Sequence, residues 1–298
     1  TGTRNTALGN NSLDANTTAS DNTAVGSAAL GLNTTGANNV AIGSLALDAN
    51  TTASDNVAIG TLSLSSNTTG NLNVAVGVQS LKANTVGDRS VAIGYQALSA
   101  QNPSSNADVY NTAVGYQAGK LVTTGIQNTA IGGLAGDSIT SGGGNTIMGY
   151  AAGDALTTGN SNVAVGLSAL SGDTLGDRAV AIGQGALNAQ NFTSSTDNYN
   201  VGVGYNAGAA VTTGVNNTLI GGLAGDAITD GDANICIGYL AGTHSTDLQT
   251  GTRNVILGSY ARTSATNTDD ANIIGYDISG AAGFTTLGSA TSDIRAAH

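Results

Sequence analysis

The chain has 298 residues, a formal net charge of −11, 44 Gly, two Phe, no Trp, one Pro and only 9% charged residues. Any core must therefore be thin and built from Ala, Val, Ile and Leu, which argues against ordinary globular packing and is typical of repeat proteins. The eight Lys and Arg are scattered, which opposes nucleic-acid binding, and no apolar run approaches the ~20 residues of a membrane helix.

The predicted elements follow one phrase, in which an Asn, a β-branched residue, an Ala and an aliphatic residue precede a Gly. This Gly is called the anchor below, and its copies are Gly9, Gly26, Gly43, Gly60, Gly77, Gly94, Gly115, Gly132, Gly149, Gly166, Gly183, Gly204, Gly221, Gly238, Gly258, Gly275 and Gly288. Twelve of the sixteen intervals have the same length, seventeen positions, as from Gly26 to Gly43. A short period with one phrase per repeat predicts a solenoid.

The other intervals are three longer ones and a short last one, from Gly275 to Gly288. The longer ones are predicted to be loop insertions near residues 99–110, 188–199 and 243–253. The stretch "GDRSVAIGYQALSAQN" at 87–102 returns as "GDRAVAIGQGALNAQN" at 176–191, so a block of five coils, including its insertion, is duplicated. We expect a solenoid over 1–270 and degenerate last coils with a transition segment over 271–298.

Within each repeat, positions are numbered from the anchor. Position −1 is always Val, Ile, Leu or Met, position −3 is nearly always Val, Ile or Thr, and position −2 is usually Ala. This alternation predicts a short strand. We expect positions −3 and −1 to point into the coil and to stack as a core ladder, whose −1 members include Ile42, Ile59, Val76, Ile93, Val114, Ile131, Val165, Ile182 and Ile220.

The anchor Gly is expected to end the strand in a tight bend. Apolar residues at +3 and +4 then close the other side of the coil, and "NTTG" or "TTG" at +7 to +10 supplies turn residues. Because so short a repeat is too small for a helix pair, the sequence predicts an all-β parallel solenoid with about 17 residues per coil. Strands stacked ~4.8 Å apart would make a rod.

A thin coil buries little apolar area, so the hydrophobic free energy it gains is small compared with the entropy lost when its backbone becomes ordered. Pressing the Ala faces of three chains together would bury a second stripe and cover strand edges. The sequence therefore predicts a side-by-side parallel homotrimer.

The phrases "SVAIG" at 90–94 and "NVAIG" at 39–43 and 56–60 resemble the head repeats of YadA-like trimeric autotransporter adhesins. The resemblance covers nearly the whole chain, but only about five positions in each coil. It implies a left-handed parallel β-roll in which three chains pack side by side. Coils of that family are shorter than those of this chain.

The phrases "NTAVGYQAG" at 111–119 and "AVTTGVNNTLIG" at 210–221 resemble the repeat shafts of phage tail fibres. The ending "FTTLGSATSDIRAAH" resembles the stretch that leads into their autoprocessing C-terminal chaperone. These resemblances imply a shaft in a virion that positions a receptor-binding tip for host attachment, alongside other virion proteins. The alternative is the head or stalk of a trimeric adhesin on a bacterial surface.

Asn recurs at position −4 and is predicted to form a coil-to-coil amide ladder rather than a ligand site. Its members include Asn22, Asn39, Asn56, Asn73, Asn111, Asn128, Asn145 and Asn162.

Aromatic residues at +1 are expected to pack on the surface, with stacking on a host-surface glycan as the alternative. They are Tyr95, Tyr116, Tyr150, Tyr205, Tyr239 and Tyr276. Four Arg at position −5 are expected to pair with nearby Asp residues and are Arg4, Arg89, Arg178 and Arg253.

Little in the sequence points to catalysis, so we expect a protein that is not an enzyme and that uses no cofactor. His244 lies in an insertion, His298 is terminal, and Cys236 replaces an Ala of the repeat. We also expect no metal site, because Asp137, Asp154 and Asp226 are isolated in sequence. Ice binding is a third alternative because Thr pairs recur at +8 and +9, but adjacent Thr residues point to opposite faces.

Overall fold

A computed structural model describes residues 2–297, and over this range the protein contains strands, turns and bends but no helix. Accordingly, the described chain offers no apolar helix of the length that a membrane crossing requires. The chain divides into two compact units, Thr1–Ile147 and Met148–His298.

The first unit is a stack of short parallel strands. Its strands are β1 (Thr6–Leu8), β2 (Thr23–Val25), β3 (Val40–Ile42), β4 (Val57–Ile59), β5 (Val74–Val76), β6 (Gly87–Asp88), β7 (Val91–Ile93), β8 (Ala107–Asp108), β9 (Thr112–Val114) and β10 (Thr129–Ile131), and β11 (Thr146–Met148) spans the division between units. The three-residue strands pair in register, so that Ile42 lies opposite Ile59 and Ile59 opposite Val76. The two-residue strands β6 and β8 pair with each other.

The second unit repeats this arrangement. Its strands are β12 (Val163–Val165), β13 (Gly176–Asp177), β14 (Val180–Ile182), β15 (Thr196–Asp197), β16 (Val201–Val203), β17 (Thr218–Ile220), β18 (Ile235–Ile237), β19 (Val255–Leu257), β20 (Arg262–Thr263), β21 (Asn272–Tyr276), β22 (Ser279–Gly280), β23 (Phe284–Ser289) and β24 (Ser292–Ala297). Strand β21 continues the parallel ladder onto β23, and β24 turns back antiparallel on β23.

Each coil therefore adds one strand to a parallel ladder, and the prediction of an all-β parallel solenoid is confirmed. The longer coils keep the register of the ladder. Across the insertion between Gly94 and Gly115, Ile93 still lies opposite Val114, because the extra residues are accommodated beside β6 and β8.

The anchor glycines end the main strands with an unusual backbone. Gly60, for example, has a φ of +129°, a region that is essentially restricted to glycine. A Cβ built on Gly60 would lie 2.6 Å from the backbone carbon and oxygen of the next anchor, Gly77. The backbones of successive coils thus touch at the anchor, which explains why every repeat keeps this glycine.

The bend after each anchor also uses left-handed backbone at residues with side chains. Leu45 and Leu47, at positions +2 and +4, have φ values of 59° and 50°. Asn38, at position −5 before the strand, also has a left-handed backbone, with a φ of 59°. Left-handed residues are costly singly. Here each one is held by hydrogen bonds to neighbouring coils, such as Leu45 N to Ser27 O at 2.9 Å and Leu47 N to Ser63 O at 3.1 Å.

The face of the strands that forms the core is the opposite of the predicted one. The alanines at position −2 are buried, with Ala41, Ala58 and Ala75 all 0% exposed. The predicted core ladder lies on the outer side of the strands instead. Its isoleucines Ile42, Ile59, Ile93, Ile182 and Ile220 are exposed, and Val76, Val114, Ile131 and Val165 are half-buried.

The reason is the parity of the strand. Asn at position −4 points into the coil, and alternate residues of a strand share a face, so position −2 also points inward while −3 and −1 point outward. Position −2 is Ala in most coils, and the larger apolar residues Ile147, Leu219, Ile256 and Ile273 are fully buried at the same position. It follows that the alanines assigned above to a trimer contact lie inside each coil.

The interior is completed by two coupled positions, +4 and +7. Where +4 is Leu, as in Leu47 and Leu64, position +7 is polar, as in Asn50 and Asn67. Where +4 is Gly, position +7 is aliphatic in the pairs Gly119 with Val122, Gly136 with Ile139, Gly153 with Leu156, Gly208 with Val211 and Gly225 with Ile228. The two arrangements therefore fill the interior with different pairs of buried side chains.

Candidate functional site

The most extensive candidate site in each unit is the outer face of the main strands, formed by positions −3 and −1. In the first unit the −1 members stack in one in-register column, which contains Leu8, Val25, Ile42, Ile59, Val76, Ile93, Val114 and Ile131. Ile42, Ile59 and Ile93 expose 38%, 36% and 39% of their surface. Neither position carries a charged residue in this unit.

The second unit has an equivalent column, which contains Val165, Ile182, Val203, Ile220, Ile237, Leu257, Ile274 and Leu287. Contiguous exposed apolar surface of more than a few hundred Å² marks an interaction site on a soluble protein. The outer face of each unit is therefore a candidate assembly surface.

The Asn residues at position −4 lie inside the coils and hydrogen-bond from coil to coil. Asn39 Oδ1 accepts a hydrogen bond from the backbone N–H of Asn56 at 3.0 Å, and Asn56 Oδ1 accepts one from Asn73 N–H at 2.9 Å. The Asn39 amide also donates to the carbonyl of Ala53 at 2.9 Å. Asn22, Asn111, Asn128, Asn145 and Asn162 are buried in the same column. The Asn side chains at position −4 therefore make hydrogen bonds within the protein.

A second buried ladder lies at position +7, where the sequence pattern indicated only turn residues. Asn50 Nδ2 donates to Asn33 Oδ1 at 2.8 Å, and Asn67 Nδ2 donates to Asn50 Oδ1 at 3.1 Å. The signal is present in the sequence, since Asn recurs there once per coil in several successive repeats. Gln101 joins the two ladders, because its side chain accepts from Asn111 Nδ2 at 3.0 Å and donates to Asn84 Oδ1 at 3.3 Å.

The Thr hydroxyls at position +8 make a third set of bonds. Thr34 Oγ1 donates to the carbonyl oxygen of Thr51 at 2.9 Å, and Thr68 Oγ1 donates to that of Thr85 at 3.0 Å. One hydroxyl of each Thr pair is thus used within the protein, which weakens the case for an ice-binding array.

The predicted tyrosines lie on the surface, with Tyr95, Tyr116, Tyr150, Tyr205 and Tyr239 between 44% and 60% exposed. Tyr95 and Tyr116 stack on each other with ring centres 5.5 Å apart. In the second unit, Tyr239 and Tyr276 each pack edge-on against Tyr260, which His244 also contacts. Tyr95, Tyr116, Tyr239 and Tyr276 therefore have aromatic neighbours, and their side chains remain exposed.

The arginines at position −5 form ion pairs one coil further along the chain, joining Arg4 to Asp21, Arg89 to Asp108, Arg178 to Asp197 and Arg253 to Asp270. All of these side chains are well exposed, so water screens each pair and the pair adds little to stability. The pairs of the two duplicated insertions differ from the others, because Arg89 and Arg178 also lie over tyrosine rings, Tyr110 at 5.9 Å and Tyr199 at 5.6 Å.

The coil corner at Arg178 encloses a cleft of about 270 Å³ lined by Asn160, Ser161, Asp177, Arg178 and Asp197. The carboxylate of Asp177 is held by the backbone N–H of Asn160 at 2.6 Å and by the hydroxyl of Ser195 at 2.6 Å. Because β13 pairs with β15 in register, Asp177 lies directly opposite Asp197. The Asp197 carboxylate is the main reason that the pKa of Arg178 is raised.

Other reactive groups are spread through the fold. Burial raises the pKa of the Cys236 thiol to about 12, so this residue is a neutral thiol at physiological pH. His298 lies outside the described residues. Between residues 2 and 297, no three His, Cys, Asp or Glu side chains are grouped closely enough to hold a metal ion.

One buried carboxyl, Asp173, occupies the +7 ladder in place of Asn. Its Oδ2 accepts a hydrogen bond from Gln190 Nε2 at 2.6 Å, and its Oδ1 accepts one from Gly176 N–H at 3.0 Å. Burial raises the pKa of Asp173, and these hydrogen bonds only partly offset that effect.

The chain was compared with known proteins. No family model, no curated protein and no solved structure matches it.

Proposed function

We propose that the chain is the structural shaft of a virion tail fibre, assembled as a parallel homotrimer of left-handed coils that positions a receptor-binding tip. The observation that carries this proposal is the uncharged outer face, whose aliphatic −1 column continues in register along each unit. Covering this face with two further copies removes a continuous apolar stripe from water, which is favourable at about 25 cal/mol per Å² buried.

The internal bonding supports a structural role. Three sets of side chains form hydrogen bonds to a neighbouring coil, and this geometry recurs along the chain. They are the Asn residues of the two amide ladders and the Thr hydroxyls at position +8. No coil can satisfy these groups alone. Such a chain suits a load-carrying element better than a protein that must open and close.

The alternative is the head or stalk of a trimeric adhesin on a bacterial surface. Exposed tyrosines at position +1, such as Tyr116 and Tyr205, favour it, because aromatic edges at a surface are suited to contact with glycans. Both functions use the same trimer and differ in where the protein is displayed.

Sedimentation equilibrium tests the assembly. Each chain has a mass of 29.0 kDa, and we expect the protein to sediment with three times this mass. The double variant Ile42→Lys/Ile59→Lys, which places charges on the outer face, should sediment as a monomer. Leu32→Lys is the control, because Leu32 is 54% exposed but lies off the outer face. A monomeric wild-type protein, or a trimer that tolerates the double variant, would contradict this assembly.

Immunogold electron microscopy with antibodies raised against the chain separates the two functions. Gold on fibres of virions supports the shaft. Gold on bacterial envelopes that carry no virions supports the adhesin and rejects the shaft.

A further inference from the structure

The cleft beside Arg178 is not explained by the role of a shaft. Its charged groups are fixed before any ligand arrives, because Asp177 is 8% exposed and hydrogen-bonded on both carboxylate oxygens. Arg178 is held between the Asp197 carboxylate and the hydroxyl of Tyr199, to which its Nη1 donates at 3.3 Å. Preorganised polar groups lose little freedom when a ligand binds.

The cleft nevertheless keeps hydrogen-bonding capacity for a ligand. The side chains of Arg178 and Asp197 remain 47% and 49% exposed despite their ion pair. Ser161 is exposed, and its hydroxyl makes no hydrogen bond with other residues between 2 and 297. A donor, an acceptor and a hydroxyl therefore line one concave surface.

The charges select the class of ligand. Asp177, Arg178 and Asp197 sum to −1, and the chain as a whole carries −11, so an anion would be repelled. A cation would have to compete with the Arg178 guanidinium for Asp197. A neutral molecule with adjacent hydroxyls avoids both costs, because its hydroxyls donate to the carboxylate and accept from the guanidinium.

From this arrangement we propose that the cleft at Ser161, Arg178 and Asp197 binds a single neutral hexose unit of a saccharide. A volume of about 270 Å³ lies just below the roughly 300 to 1,000 Å³ of typical ligand pockets, which fits one ring rather than a longer chain. The site lies within one chain, so this inference does not depend on the trimer or on the proposed fibre.

The first copy of the duplicated block provides a natural comparison. Asp88, Arg89 and Asp108 repeat the ion pair, and Asn71 N–H again donates to the carboxylate of Asp88, at 2.5 Å. The residue equivalent to Ser161 is Leu72, which is 46% exposed. An isobutyl group there replaces the hydroxyl, so we assign hexose binding to the second copy alone.

Saturation-transfer difference NMR on the full chain tests the proposal, with methyl α-glucopyranoside and methyl α-galactopyranoside as neutral probes. N-Acetylneuraminic acid and glucosamine serve as anionic and cationic comparisons. We expect transfer to at least one neutral probe and a decrease of about tenfold in Ser161→Leu and in Asp197→Asn, since each removes hydrogen bonds to the sugar. Leu72→Ser should add a second site and increase the signal.

Ser161→Leu copies the residue that the first block already contains, at a matching backbone φ of 58° against 60°, so it should fold. Circular dichroism checks this for each variant. Equal transfer in wild type and Ser161→Leu, stronger transfer to either charged sugar, or no transfer to any neutral probe would each overturn the proposal.

Discussion

Each anchor glycine is required for two reasons, its backbone angle and the lack of space for a side chain. At Gly60 the φ of +129° excludes other residues, and the carbonyl group of Gly77 occupies the place of a Cβ. Relief of the contact would require two coils to move apart. The same geometry recurs along both units, for example at Gly166 and Gly183 in the second.

Substitution of an anchor should therefore be severe. We expect Gly60→Ala to lower the free energy of unfolding by more than about 3 kcal/mol. Gly31→Ala is the matched control, because Gly31 has no positive φ and the atom nearest to its Cβ would be the movable carboxylate of Asp48, at 2.9 Å. Urea denaturation of both variants checks this, and similar losses in the two would show that the anchors are not special.

The buried carboxyl of Asp173 makes the stability of the fold depend on pH. Its pKa is raised in the folded state by burial, so the protonated form is favoured there. Its contribution to stability is fully present below the unfolded pKa of about 3.9 and is lost as pH rises through the raised folded value. Ionisation of this group therefore destabilises the fold at neutral pH.

Asp173→Asn should remove this loss. We expect the variant to match the wild type near pH 3 and to become more stable than it as pH rises to 7, in thermal melts compared at each pH. Asn84→Asp, at the equivalent position of the first block, should show the reverse. An Asp173→Asn difference that stays constant with pH would contradict the assignment.

At the scale of one coil, the pairing of positions +4 and +7 determines how the interior is filled. A Cβ on Gly119 would lie 3.0 Å from Leu98 Cδ2 and 3.4 Å from Val122 Cγ2. The space that Leu47 fills in its own coil is thus taken partly by Val122 here. We therefore expect a mixture of the two solutions to pack less well than either one.

A double-mutant cycle measures this coupling. Gly119→Leu should cost about 1 to 3 kcal/mol through overpacking, and Val122→Asn about 1 to 3 kcal/mol by burying an amide with few partners. The double variant recreates the Leu and Asn pair of other coils, so we expect it to recover at least about 1 kcal/mol of the summed loss. Additive losses in denaturation experiments would mean that the two positions are independent.

The strands of the solenoid could be predicted from the sequence, but the buried face of these strands could not. The period of the anchors specifies the strands and their register, because pairing in a solenoid follows directly from the repeat, as Ile42, Ile59 and Val76 show. The alternation alone does not reveal which face is buried, since Ala and Ile both read as apolar. The Asn at position −4 indicates which face is buried, because an amide ladder inside the coil requires position −2 to point inward as well.

The corner cleft could not be predicted, for a different reason. Asn160, Asp177 and Asp197 come from three successive coils, and their meeting depends on how the insertion folds against β13 and β15. The sequence showed that the insertion was duplicated, but the repeat pattern does not predict the backbone path of the inserted residues.

For the proposed trimer as a whole, charge opposes assembly while the outer face favours it. The chain carries −11, and three copies together carry 3 × −11, or −33. None of the residues at positions −3 and −1 in the first unit is charged, so the attraction is apolar and depends little on screening. The repulsion between copies is long-ranged and weakens with salt, since the Debye length falls from about 30 Å at 0.01 M to about 3 Å at 1 M ionic strength.

If the proposed trimer forms, salt should therefore strengthen it. We expect the protein concentration at which half of the chains are assembled to fall when sodium chloride is raised from about 0.01 M to about 1 M, as followed by sedimentation or light scattering. The Ile42→Lys/Ile59→Lys variant should remain a monomer throughout, and its melting temperature reports how salt affects a single chain, including its exposed Arg and Asp pairs. Dissociation of the wild type at high salt would show that ion pairs between chains, rather than the aliphatic face, hold the assembly together.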